Sequence, residues 1–568
     1  MARTRDIERR GAFVAPTLSG ASLALLFWWQ SLTPTLIPRS WQPQAVVGGV
    51  CVAIGYGIGT LAGRWAHRLL EWPGRSPENA IRRHGWIVLG AAWLVAVLVG
   101  ATLWKRWQDE QRHFMSIASL ASFDAMRMAV GSLLVGLLLV VAGRVIVNGL
   151  AASNRFIQSY VGAVVPVPLI AALIALLTIV VGRGAGLSAL TAVAYQIYAP
   201  ANDQMNEGLL APDSSSVSGS RTSFVAWDTL GYWGRYFIET VTTTRDLQAF
   251  HGINTGLTDP VRVYVGLRSA DSAAARAALA VRELERAGGF DRKVLVVWVP
   301  TGMGWMIPRA AAALEQLYRG DSAIVAIQYS FLPSWLAAFV DAGLANDAGT
   351  ALFNAVRARW SELPPDGRPK LLLFGKSLGT AGVEAPFVGV DAASSVSNMV
   401  TRTDGVLIAG AKHSNPIHAQ LTRERDPGSP VWLPVFDRGR SVRFVNRDPD
   451  RPALDAEWSV PRIVYLQHPS DPTVFWSIEA FWRPPEWMEQ PRGFDVPHDV
   501  RWFPIVSGLQ ALADVLNQLR APPGFGHVYS TDYVKAWASI VRPNDWTEAE
   551  SERLDQFVAT ILGDESEP

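Results

Sequence analysis

Leu371-Leu372-Leu373-Phe374-Gly375-Lys376-Ser377-Leu378-Gly379 places a G-x-S-x-G pattern directly after an apolar run and directly before a helical period. The apolar run reads as a buried strand, and the two glycines read as the flanks of a sharp strand-to-helix turn. Such a turn pushes its serine out of the sheet on a strained backbone, and the glycines let neighbouring chain pass close by. Ser377 Oγ then lies at the start of the next helix, where developing negative charge is favoured. Ser377 is therefore the candidate nucleophile, weighed against an ordinary serine in a glycine-rich turn.

The pattern around this turn repeats. Residues 261–266, 293–299, 323–328, 371–374, 406–409 and 463–466 are short apolar runs. Residues 271–287, 307–318, 347–361 and 503–519 have helical periodicity. Strands alternating with helices at this spacing predict βαβ units and a mostly parallel sheet flanked by helices. The predicted catalytic domain spans 261–568, behind a connector at 184–260 that is polar and serine-rich from residue 200 onward.

A serine needs a base to become nucleophilic. Where the nucleophile sits at such a turn, the partners follow in the order serine, acid, histidine. Five histidines come after Ser377: His413, His418, His468, His498 and His527. His527 fits a late loop, between Gly524, Gly526 and a following helix. His498, in Val496-Pro497-His498-Asp499, is the alternative. The acid is expected where a β-rich run ends in a turn, which selects Asp471 after Pro461–Leu466. Its role would be to hold the imidazole tautomer and stabilise the imidazolium. Two backbone N–H groups must meet the oxyanion. Leu378 supplies one, and Thr301 or Gly302, in Pro300-Thr301-Gly302-Met303-Gly304-Trp305, supplies the other. Glu384, two helical turns beyond Ser377, reads as a packing carboxylate. The Trp/Pro-rich insert 472–504 stands between acid and base, as core, as a lid or as a flap touching the bilayer.

The first third of the chain differs. Hydrophobic residues make up 49% of the protein and charged residues 18%, and the apolar excess falls in residues 1–183. A membrane-spanning helix needs about 20 apolar residues. Segments 12–30, 45–63, 85–104, 124–143 and 163–182 qualify, predicting an all-α transmembrane bundle of five spans. Gly55, Gly59 and Gly63 form a stripe that admits a neighbouring helix. Arg3, Arg5, Arg9 and Arg10, then Arg64, Arg68, Arg75, Arg82 and Arg83, then Arg144 and Arg155, put most short-loop cations on one side. That bias predicts a cytoplasmic N-terminus and an extracytoplasmic catalytic domain in a cell membrane. A sixth span at 185–199 would reverse the side. Net charge is +1, which speaks against nucleic acid as a partner and leaves membrane lipids. The single cysteine, Cys51, allows no intrachain disulfide and no cysteine-based metal site. No metal or nucleotide motif stands out, so no cofactor is expected.

Several of these stretches together resemble a group of bacterial membrane-embedded α/β-hydrolases, with an N-terminal multi-span domain and a C-terminal catalytic domain. The resemblance covers nearly the whole chain. It is carried by Ser31-Leu32-Thr33-Pro34-Thr35-Leu36-Ile37-Pro38-Arg39, by Val225 to Arg235, by Pro300 to Trp305, by Gln328 to Trp335, by Phe374 to Gly379 and by Gln467 to Pro472. Lys376 departs from it, since an acidic residue is expected there. The resemblance implies an α/β-hydrolase fold and a serine hydrolase of undefined substrate. The expected activity is cleavage of a lipid or lipid-linked acyl or aminoacyl ester. Acyl transfer would use the same residues. A transporter is opposed by the scarcity of ionisable groups at span centres, and an inert binding module by the complete Ser/Asp/His set.

Overall fold

The computed structural model describes residues 16–69, 79–161, 185–206, 208–333, 336–337, 342–448, 454–489, 491–544 and 546–563. The chain divides into two compact units. One comprises 1–187, 477–488 and 496–517; the other comprises 188–476, 489–495 and 518–568.

In the first unit, three described helices are long and apolar enough to cross a membrane: Trp41–Ala66, Arg83–Phe114 and Asp124–Leu150. The first expected span appears as a 14-residue helix, Leu18–Ser31. The fifth, 163–182, lies outside the described residues. The glycine stripe faces Leu18–Ser31. A Cβ on Gly59 would stand 2.4 Å from Ser19 O, and one on Gly55 2.7 Å from Leu23 O. Only glycine permits that approach.

The Trp/Pro-rich insert, read from sequence as part of the catalytic domain, is divided between the two units. Its continuation, helix Val506–Leu516, is built into the helical unit. There Val506 packs with Phe27, Val47 and Cys51, beside Phe503, Ile505 and Leu509. Arg39, at the end of the Ser31–Arg39 motif, is fully buried. Its guanidinium donates to Asp514 Oδ1 at 2.7 Å, to Gln510 O at 2.8 Å and to Gln44 Oε1 at 3.1 Å. A buried ion pair persists when its remaining donors and acceptors are satisfied, and this network satisfies them.

Among its described residues the second unit holds seven parallel strands: β1 (Val261–Val265), β2 (Val294–Val299), β3 (Ser322–Ile327), β4 (Lys370–Lys376), β5 (Gly405–Ala409), β6 (Val442–Val445) and β7 (Arg462–Leu466). Their order is β1-β3-β2-β4-β5-β7-β6. β1, β2, β3, β5 and nearly all of β4 and β7 are buried, as continuous apolar strands covered on both faces must be. The sheet grows from β2 in one direction through β3 and β1, and in the other through β4 and β5. The β2/β4 boundary is thus the topological switch point, where the carboxyl ends of strands leave a crevice. Val299 pairs with Gly375, Gly375 with Ile408, and Ile408 with Tyr465, so the loops after β2, β4, β5 and β7 emerge along one edge.

Residues 185–199 belong to helix Ala185–Asp203. Ala194, Tyr195 and Tyr198 pack with Phe331, Leu332, Leu336, Ala337 and Leu378 of the catalytic unit.

Candidate active site

Ser377 has φ +55°, the left-handed backbone that bulky residues avoid. It is fixed by donation of its N–H to Ala409 O at 3.0 Å. Helix Gly379–Glu384 starts two residues later. The flanking glycines are required by contact. A Cβ on Gly379 would stand 2.2 Å from Val299 O and 2.6 Å from Pro300 O, and one on Gly375 2.7 Å from Gly379 O. The turn therefore lies flat against the loop that leaves β2.

That loop is pinned from three sides. Tyr264 Oη donates to Gly304 O at 2.8 Å, Tyr329 Oη to Pro300 O at 3.1 Å, and Gln328 Nε2 to Met303 O at 3.5 Å. This accounts for the Gln328-Tyr329 part of the sequence motif. The structure corrects one oxyanion candidate. Thr301 N–H already donates to Trp305 O at 3.2 Å, so it is not available. The N–H groups of Gly302 and Leu378 donate to nothing among the described residues. Lys376 is buried, its ammonium 5.7 Å from the Trp305 ring and 6.0 Å from the Tyr529 ring.

Asp471 follows β7 and is fully buried. His527 Nδ1 stands 2.7 Å from Asp471 Oδ2, and Tyr529 Oη donates to the same oxygen at 2.6 Å. Asp471 Oδ1 accepts from Thr473 N at 2.8 Å and Val474 N at 3.4 Å, capping the short helix Pro472–Phe475. Burial alone would raise this carboxyl. The His527 ring, the Tyr529 hydroxyl and the Thr473 N–H outweigh burial and hold it below the ordinary carboxylate range. His527 lies over Gly410, the residue after Ala409: a Cβ there would be 2.6 Å from His527 Cε1. Its Nε2 is buried and has no hydrogen-bond partner among the described residues. Ser377 Oγ makes no hydrogen bond among the described residues either. The Ser377–His527 bond is thus not formed in this structure, in which both partners reach the same sheet edge by way of β5.

The other histidines have different surroundings. His468 is buried with Nδ1 2.8 Å from Gly526 O and Nε2 3.2 Å from Asp532 Oδ2. His418 Nε2 lies 2.7 Å from Gln467 Oε1, and burial pushes this imidazole down to about 4. His413 and His498 are exposed, and His498 belongs to the other compact unit. Glu384 accepts from Ile417 N at 2.8 Å and from Tyr465 Oη at 3.0 Å. Burial pushes its carboxyl up to about 7. It ties the helix after Ser377 to β7 and to helix Pro416–Arg423, which is a packing role. Sequence reasoning missed Tyr529. No local pattern announces it, since residues 526–527 form a turn in which the side-chain alternation of a strand does not hold.

Seven parallel strands with a strained serine at the switch point, and a buried histidine–carboxylate pair on the same edge, define a hydrolase of the α/β class. Residues 261–554 match the model of the alpha/beta-hydrolase family, and residues 32–240 match the model of that family's N-terminus. The chain belongs to this alpha/beta-hydrolase family. No curated protein and no solved structure matched it.

Proposed function

We propose that the protein is a membrane-anchored serine hydrolase that cleaves the ester of a lipid or lipid-linked substrate through an acyl-enzyme on Ser377. The observation that carries this reading is the buried His527–Asp471 pair, whose other nitrogen, Nε2, has no partner among the described residues at the sheet edge that also carries Ser377. Asp471 holds Nδ1–H, so Nε2 carries the lone pair. Nε2 takes the Ser377 hydroxyl proton as Oγ bonds to the ester carbonyl carbon. The carbonyl oxygen becomes an oxyanion facing the free N–H groups of Leu378 and Gly302. Collapse expels the alcohol, which takes the proton from Nε2, and water then releases the acid by the same steps in reverse order.

The lipid assignment rests on three helices apolar enough to cross a membrane in the same chain. Tethering would hold the site near esters that rarely leave the bilayer. The bias of cations among the short loops, with five spans, supports a catalytic domain outside the cytoplasm.

The test uses full-length protein in detergent. Wild type is expected to label with a fluorophosphonate probe and to hydrolyse short acyl esters. Ser377→Ala is expected to fold, insert and do neither, with a loss of several orders of magnitude. Labelling of Ser377→Ala at the wild-type rate would sink the proposal. Lipid profiles of a deletion strain and its complemented parent then identify the accumulated ester.

A further inference from the structure

The residue before the base is gripped at both ends of its backbone. Gly526 N–H donates to Ser470 Oγ at 2.9 Å, and Gly526 O receives the His468 ring at 2.8 Å from Nδ1. His468 and Ser470 come from the turn after β7 that also carries Asp471. Each is fixed in turn. His468 Nε2 faces Asp532 Oδ2 at 3.2 Å, and its ring stacks on Tyr529 at 4.2 Å between centroids. Ser470 Oγ donates to the buried Asp495 Oδ2 at 2.5 Å, which leaves its lone pairs for Gly526.

From this geometry we infer that His468 and Ser470 are positioning residues: they clamp the Gly526 backbone on both sides of its Cα and so set the His527 imidazole for Ser377. The inference rests on the Ser377–His527–Asp471 reading. The chemistry requires a clamp at this point. Gly526 has φ +54°, so glycine leaves this backbone little bias of its own. Asp471 fixes one nitrogen of the ring, but one hydrogen bond leaves the ring free to pivot about it. A catalytic group displaced by about 1 Å loses on the order of a hundredfold in rate. Holding the Gly526 N–H and the Gly526 C=O, which belong to the two peptide units that meet at its Cα, fixes the backbone from which the ring projects. All the groups involved are buried, where a satisfied polar network is rigid and a half-satisfied one is costly.

His468 has two functions on its two nitrogens, and amide substitutions separate them. An asparagine amide overlays Nδ1 and reaches Gly526 O. A glutamine amide overlays Nε2 and reaches Asp532 without touching Gly526. In full-length protein, His468→Asn is expected to keep kcat within about threefold of wild type. His468→Gln and His468→Phe are expected to lose at least tenfold in kcat with KM unchanged, since substrate contacts are not altered. Ser470→Ala, which strips the acceptor from Gly526 N–H, is expected to fall with them. Thermal unfolding of each variant is measured alongside, because a purely structural role would move the Asn and Gln variants together. Equal kcat in those two variants, whether both normal or both low, overturns the clamp. An inert His527→Ala beside wild-type kcat in His468→Gln and Ser470→Ala overturns the clamp alone. An active His527→Ala overturns the triad reading and the clamp with it.

Discussion

Replacing Asp471 by asparagine changes one atom at the point where the site is most tightly held. Four donors converge on the carboxylate, two at each oxygen. Asparagine can keep Oδ1 toward Thr473 and Val474, so the helix cap survives. Its Nδ2 then stands where His527 Nδ1 and Tyr529 Oη had donated. Tyr529 can rotate its hydroxyl to accept, which limits the stability cost to about 1 kcal/mol. His527 can accept only by moving its proton from Nδ1 to Nε2. That tautomer has no lone pair for the Ser377 proton, and the imidazolium also loses its counter-charge. The expected loss is about 10⁴ in kcat, or roughly 5 kcal/mol of barrier, with little change in melting temperature. Hydrolysis of p-nitrophenyl esters and the second-order rate of fluorophosphonate labelling both report it. If Asp471→Asn keeps kcat within tenfold of wild type while Ser377→Ala is inert, Asp471 does not orient the base. The same carboxylate sets an acid limit. Because its folded value lies below the ordinary one, its contribution to stability is present above about pH 3.8 and is lost as pH falls through the lowered value. Asp471→Asn should lack that limb in an acid melting series.

Three further outcomes are expected. Gly379→Ala puts a Cβ 2.2 Å from Val299 O, a backbone atom that cannot swing away, and should cost about 2–3 kcal/mol while slowing fluorophosphonate labelling; an unchanged melting temperature would count against the close approach. Glu384 contributes stability that is full below about pH 4.5 and lost as pH rises through about 7, worth roughly 3 kcal/mol, so Glu384→Gln should gain on wild type between pH 5 and pH 8.5, and a melting difference that stays constant over that range would contradict it. Asp514→Ala leaves the Arg39 guanidinium buried without its counter-ion and should cost about 3–5 kcal/mol; full-length protein that melts as wild type would show the pair to be dispensable.

The fold was legible because its signals are local. Each buried strand of the sheet centre is a continuous apolar run, and periodicity found it within a residue or two. β6 was missed for a physical reason: it has four residues at the sheet edge and alternates buried with half-buried side chains, too few positions to establish a period. The strained turn at Ser377 was legible for the same reason as the strands, since strand, turn and glycines adjoin it. Thr301 was misjudged because its N–H is used by a carbonyl four residues on, a loop detail that no residue pattern announces. The insert was read as part of the catalytic domain because nothing local pairs Arg39 with Asp514, 475 positions later.

Asp471 and His527 are 56 residues apart, and much of the intervening chain is built into the other compact unit. Chain continuity therefore does little to keep these two side chains together. Hydrogen bonds do it instead, and most start from one turn. Asp471 takes the His527 ring and the Tyr529 hydroxyl, Ser470 takes the Gly526 N–H, and His468 takes the Gly526 carbonyl. Residues 526, 527 and 529 are thus tied to residues 468, 470 and 471 through side chains: Gly526 to two of them, and His527 and Tyr529 to one carboxylate oxygen. This arrangement explains why neither Gln467–Pro472 nor Pro522–Tyr529 announces the hydrogen bonds between them when read alone. Their chemistry resides in the pairing, and the pairing fixes the imidazole while leaving the intervening excursion to serve the helical unit.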